Sequence, residues 1–140
     1  MSITKHFVLA AGGTGGHMVP AHALARELEQ RGHRVALITD ARGAKIPGIF
    51  EDAEVHVLPA GRLTKNPMSW PGAMKAILQG RAMARQLYST FRPTSVVGFG
   101  GYPAFPALLG AFADDIPTVI HEQNAVLGRV NRLAARKVNA

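Results

Sequence analysis

The sequence predicts an α/β domain built on a doubly wound parallel sheet. Three observations carry that expectation. Short apolar runs alternate with helical periodicities along the whole chain, the pattern of a parallel sheet with helices on both faces. The first and fourth of those runs each lead straight into a glycine-rich loop that opens a helix. Right-handed crossovers in the strand order 3-2-1-4-5 would set those two loops side by side, at the point where the winding reverses.

The first strand, residues 7–11, ends at Gly12-Gly13-Thr14-Gly15-Gly16-His17. A backbone so poor in Cβ atoms lets a phosphate or sugar approach bare N–H groups, and the head of the following helix adds unpaired donors and a positive dipole end. The dinucleotide fingerprint Gly-x-Gly-x-x-Gly fails in both registers, because its third glycine would fall on Met18 or its second on Thr14. No Lys-Ser or Lys-Thr follows, so a Walker-type loop fails too. A plain tight turn is the bland alternative.

The first helix is expected over residues 19–31, with Pro20 in its first turn, Ala21, Leu24, Ala25 and Leu28 as core stripe and Gly32 as its stop. Residues 35–39 form a buried strand, and Asp40 at its end invites a ribose-binding reading that the missing fingerprint weakens. After an irregular stretch over 41–53 comes a third strand at 55–58, then a loop carrying Arg62 and Lys65. Ser69 is expected to cap a long helix over residues 70–91 whose core side is Ala73, Ala76, Ile77, Gly80, Ala84, Leu87 and Phe91.

A second row on that helix, Trp70, Met74, Leu78, Arg81 and Arg85, passes from apolar to basic, with Lys65 and Lys75 nearby. The combination suits the headgroup region of an anionic bilayer; packing of Met74 and Leu78 against a neighbouring loop is the alternative. A fourth strand over 95–98 opens the second glycine loop, Gly98-Phe99-Gly100-Gly101-Tyr102, ahead of a helix that runs to about residue 113. The fifth strand, 117–120, is followed by His121-Glu122-Gln123-Asn124 and a helix over 125–136. Four consecutive hydrogen-bonding side chains at a strand end favour ligand binding over simple capping.

Composition narrows the classes. The 140 residues, 47% of them hydrophobic, are enough for one domain with an ordinary core. Sixteen Lys+Arg against nine Asp+Glu give a charge of +7, which favours anionic partners. Nucleic acid is the weakest of these, since aromatics make up 6% and no binding module is recognisable. The absence of cysteine excludes disulfides and thiolate metal sites, and makes an intracellular compartment the plainer expectation. Asp114 and Asp115 are adjacent, so there is no Asp-x-Asp for a metal-bound diphosphate, and neither metal nor cofactor is expected.

The Gly12 to His17 loop with Pro20 behind it, the Gly98 to Tyr102 loop, and His121-Glu122-Gln123-Asn124 with Gly128 and Asn131 beyond resemble, in this order and spacing, the MurG family of bacterial glycosyltransferases. That family transfers N-acetylglucosamine from UDP-GlcNAc to the MurNAc of lipid I with inversion, making lipid II for peptidoglycan. The resemblance covers essentially the whole chain as the family's N-terminal domain. It implies a GT-B arrangement of two Rossmann-like domains, this one binding the acceptor and docking at the cytoplasmic face of the membrane. The family's C-terminal donor-binding domain is expected to be absent from this chain, either following it or forming a separate polypeptide, so the chain alone is expected to be inactive.

Within the resemblance, His17 is the candidate catalytic base and Glu122 its alternative or its orienter. Thr14, Gly15, Gly16 and Asn124 would touch the donor; Gly12, Gly13, Gly100, Gly101, Tyr102, His121 and Gln123 would hold the acceptor diphosphate. Implied partners are UDP-GlcNAc, lipid I, an anionic membrane surface reached through Lys65, Trp70, Met74, Lys75, Leu78, Arg81 and Arg85, and other cell-wall synthesis proteins. A non-catalytic membrane-anchoring half of a split transferase and a nucleotide-binding oxidoreductase domain stand as alternatives.

Overall fold

The computed structural model describes residues 3–50, 53–59 and 66–140. In chain order its elements are β1 (His6–Ala10), α1 (Gly15–Gln30), β2 (Arg34–Thr39), β3 (Glu54–Val57), α2 (Trp70–Phe91), β4 (Ser95–Gly98), α3 (Ala104–Ala113), β5 (Thr118–Ile120) and α4 (Arg129–Ala134), with 3-10 turns at Gly43–Lys45 and Pro67–Ser69. All strand pairs are parallel and the sheet order is β3-β2-β1-β4-β5, the expected doubly wound arrangement.

Period-two alternation in the strands divides the core between the two faces of the sheet. Val8, Ala10, Ala36, Ile38 and Val96 point to the side covered by α2 and α3, while Leu9, Leu37 and Val97 point to the side covered by α1. The expected core positions of α2 are all buried. Small residues bring α2 close to α3: a Cβ on Gly80 would stand 3.0 Å from Pro106. Between the same helices Tyr88 donates its buried hydroxyl to the Ala107 carbonyl at 2.8 Å.

Two helix starts and one helix cap differ from expectation. Helix α1 begins at Gly15, not at Val19, because Thr14 is extended (φ −102°, ψ 151°) and its carbonyl accepts the N–H groups of His17 and Met18. Gly15, Gly16 and His17 therefore form its first turn, and Pro20 falls in the second. Ser69 does not cap α2; its backbone is helical, and its hydroxyl turns back to the Asn66 carbonyl. Asn66 instead caps the preceding 3-10 turn through the Met68 N–H. Helix α4 starts at Arg129 rather than 125 because the residues before it are curled around Glu122, whose carboxylate accepts the Gly128 N–H. The expected loop at 61–67, with Arg62 and Lys65, lies largely outside the described residues. Beyond α4 the backbone of Asn139 and Ala140 bonds to Thr118 and Ile120 along the free side of β5.

Candidate functional site

One rung of the sheet assembles the site. Ala10 pairs with Gly98, and Gly98 pairs with Ile120, so the first glycine loop, the second glycine loop and the His121 segment leave three adjacent strands at the same height. The ladder continues a step further: Phe99 N–H donates to the Ala10 carbonyl at 2.8 Å, and His121 N–H to the Gly98 carbonyl at 2.8 Å. All three motifs singled out in the sequence thus border one crevice at the C-terminal edge of the sheet, where ligands of doubly wound folds bind.

The two glycine loops touch backbone to backbone. Gly12 N–H donates to the Gly100 carbonyl at 2.9 Å, and a Cβ on Gly12 would lie 2.8 Å from the Gly101 Cα. Gly100 (φ +95°) and Gly101 (φ +83°) adopt the left-handed conformation that turns the loop into this contact. Several glycines expected to admit a ligand therefore serve loop packing. The N–H groups of Gly12 and Gly13 are already committed, to the Gly100 carbonyl and to Asp40 Oδ2 at 3.1 Å, and neither is open to a diphosphate. Among the described residues, no acceptor takes the N–H groups of Gly15, Gly16, Gly100, Gly101 and Tyr102. A Cβ on Gly15 would meet nothing within 4 Å. These five donors remain from the wider set expected.

His17 is half-buried between the loops. Its Nδ1 hydrogen-bonds Thr14 Oγ1 at 2.9 Å, and its Nε2 stands 3.0 Å from where a Gly100 Cβ would be. Burial lowers its pKa below the usual imidazole value, opposed by the charges of Glu122 and Asp40. Desolvation is the largest influence on the ring and favours its neutral form. Thr14, expected at the donor, is at least occupied in holding the imidazole.

Glu122 accepts four N–H groups: Gly128 N at 2.6 Å, Asn131 Nδ2 at 3.1 Å, and Asn124 Nδ2 and N at 2.9 and 3.3 Å. These bonds, the Gly128 N–H first, hold its pKa below the usual carboxylate range. Such a carboxylate organises its loop, and bonds that favour its ionised form weigh against its use as the alternative base. Asn124 is correspondingly tied to Glu122 through its amide nitrogen. Gln123 lies over the first loop, with its Nε2 3.5 Å from where a Gly16 Cβ would be. The His121 ring packs on Phe99 at 5.3 Å. Tyr102 has a buried hydroxyl with no partner among the described residues, and burial pushes the phenol up.

Two residues of the site have roles that the sequence did not disclose. Asn131 is 1% exposed and donates from Nδ2 to the His121 carbonyl as well as to Glu122, tying α4 to the loop before it. Its signal was a polar residue at an inward helical position. Asp40 is a buried ligand of the first loop, not of a ribose.

Residues 7–140 match the glycosyltransferase family 28 N-terminal domain. The chain belongs to this family. It is 63% identical over 136 residues to the UDP-N-acetylglucosamine–N-acetylmuramyl-(pentapeptide) pyrophosphoryl-undecaprenol N-acetylglucosamine transferase of Erythrobacter litoralis, covering 97% of the chain and 34% of the relative. The protein of the same name from Novosphingobium aromaticivorans is 65% identical over 139 residues, covering 99% and 36%. Among solved structures, Acinetobacter baumannii MurG superposes with a TM-score of 0.84 at 32% identity, over 97% of this chain and 40% of that one. The glycotransferase of kitacinnamycin, at TM-score 0.61 and 24% identity over 97% of this chain and 35% of that one, shares the fold. The family 28 domain described here thus spans about a third of the length of the curated relatives it matches.

On the flank, Trp70, Met74 and Leu78 are 50%, 53% and 54% exposed, outside the buried core. Lys75 is exposed beside them, and Arg81 is partly buried. Arg85 is ion-paired with Asp114 through Nη2 at 2.9 Å. Lys65 lies outside the described residues. No described helix is long and apolar enough to cross a membrane.

Proposed function

We propose that this domain is the acceptor-binding, membrane-associating half of an inverting N-acetylglucosaminyltransferase that moves GlcNAc from UDP-GlcNAc to the MurNAc of lipid I, forming lipid II. The observation that carries the reading is the shared rung Ala10–Gly98–Ile120, which brings a neutral-leaning histidine and five open N–H donors to one crevice. The names of relatives above 60% identity supply the substrate class.

In this reading the lipid I diphosphate is held by the N–H groups of Gly100, Gly101 and Tyr102, with those of Gly15 and Gly16 facing the reacting sugars. His17 takes the proton from MurNAc O4 as that oxygen attacks the anomeric carbon on the face opposite UDP. For that step Nδ1–H donates to Thr14 Oγ1 and Nε2 carries the lone pair. Thr14 is then the orienter of the base, and Glu122 shapes the 121–128 loop with Asn124 and Asn131. Departing UDP draws its charge stabilisation mainly from outside this domain.

The exposed Trp70, Met74 and Leu78 enter the interfacial region of a bilayer at the cytoplasmic face, with Lys75 and Arg81 meeting anionic headgroups. That keeps the lipid-borne acceptor within reach. The test is disaccharide formation from UDP-GlcNAc and a lipid I analogue by the full-length protein, with His17→Ala beside it. Product from the parent and a large loss in the variant support the reading, and undiminished turnover in the variant contradicts it.

A further inference from the structure

Asp40 directly follows β2 at the back of the first glycine loop and is only 8% exposed. Each of its carboxylate oxygens is engaged: Oδ2 accepts the Gly13 N–H at 3.1 Å and Oδ1 the Gly43 N–H at 2.8 Å. The fit is close enough that Gly13 has no room for a side chain, since a Cβ there would press on the Asp40 carboxylate and stand 2.6 Å from the Gly43 nitrogen. The preceding residue grips the same helix, Thr39 Oγ1 donating to the sulfur of fully buried Met18 at 3.6 Å. The Arg42 guanidinium stands 3.9 Å from Oδ2 and is otherwise open to solvent.

A glycine loop at the head of a helix ordinarily offers its N–H groups to a ligand phosphate. Here the protein's own carboxylate has taken the Gly13 donor and placed a negative charge behind the loop. An anionic ligand is repelled from that side and left with the second loop, whose donors are open. We propose that Asp40 is a positioning residue of the site: it clamps the first glycine loop so that Gly15, Gly16 and His17 face the crevice, and it closes the Gly13 side of that loop to the ligand's diphosphate. The role rests on the crevice being the transferase site, but its physical signature can be read without turnover.

Three measurements test it. In the 140-residue chain, inorganic pyrophosphate should shift the amide resonances of Gly100, Gly101 and Tyr102 and leave that of Gly13 in place. Asp40→Asn, which removes the charge and one acceptor, should expose the Gly13 amide to faster hydrogen exchange and move the His17 titration to lower pH, because a charge that favoured the imidazolium is gone. In the full-length protein, Asp40→Ala should lower kcat by about 10²-fold, the scale of a misplaced catalytic group, with a much smaller change in acceptor KM. Should Asp40→Ala fail to fold, Asp40→Asn carries the comparison. A Gly13 amide that responds to pyrophosphate in the parent chain, or an Asp40→Asn variant with unchanged Gly13 exchange and His17 titration, overturns the proposal. If the parent protein transfers no sugar while the amide and titration results hold, the transferase reading fails and the clamp stands.

Discussion

At the scale of single residues, His17 is governed by two opposed influences, burial that favours its neutral form and the charges of Glu122 and Asp40 that favour the cation; burial wins. A base must be neutral to act, so the acid limb of kcat/KM should lie below the ordinary imidazole value of about 6.5, with activity lost as pH falls through it. The same sign holds for stability. A histidine with a lowered folded-state pKa contributes fully above the unfolded value and loses that contribution as the pH drops through the folded one. A pH–rate profile measures the first and thermal unfolding against pH the second. His17→Ala should reduce transfer by roughly 10²–10⁴. Gly100→Ala should reduce it as well, because a Cβ at that left-handed position would press on His17 Nε2. The position of His17 between the loops was legible in the sequence because it ends a glycine motif. Asp40 was misread because its partners, Gly13 and Gly43, lie 27 residues before it and three after, and only the fold shows that both N–H groups converge on it.

At the scale of elements, α2 has two faces with different duties, and substitutions should separate them. Trp70→Ser with Leu78→Ser should weaken binding to anionic vesicles and leave the melting temperature nearly unchanged, since both side chains are half exposed. Lys75→Ala and Arg81→Ala should each cost on the order of 1 kcal/mol of vesicle binding at low salt, whereas Arg85→Ala should cost less because Asp114 already holds that guanidinium. Vesicle co-sedimentation across a salt series reads all of these. On the inner face, Tyr88→Phe removes the bond to the Ala107 carbonyl and should cost about 1 kcal/mol, or about 3 °C in melting temperature. Both faces were legible from helical spacing, and the inner one held at every position. Element ends were less so. The start of α1 was hidden because glycine is a poor helix former, yet the first turn needs only acceptors for its later N–H groups, and Thr14 supplies them. The start of α4 was hidden because Glu122 draws Asn124 and Gly128 into a loop where apolar spacing suggested helix.

At the scale of the whole molecule, the doubly wound order followed from alternation and handedness, which are properties of the chain as a sequence of elements and survive errors in their boundaries. The meeting of the two glycine loops followed from the same order, and the shared rung refines it. The division of labour between this domain and the further length that its curated relatives carry rests on the proposal that leaving-group stabilisation lies elsewhere. The isolated 140 residues should therefore show no GlcNAc transfer in a product assay. The most direct test of the central claim, that this crevice receives the acceptor, is an amide-resolved titration of the 140-residue chain with a soluble lipid I analogue and, separately, with UDP-GlcNAc. The account predicts saturable shifts at Gly15, Gly16, Gly100, Gly101 and Tyr102 with the lipid I analogue, and weak or no response to UDP-GlcNAc. Saturable binding of UDP-GlcNAc at those amides, with no response to the lipid I analogue, would contradict it.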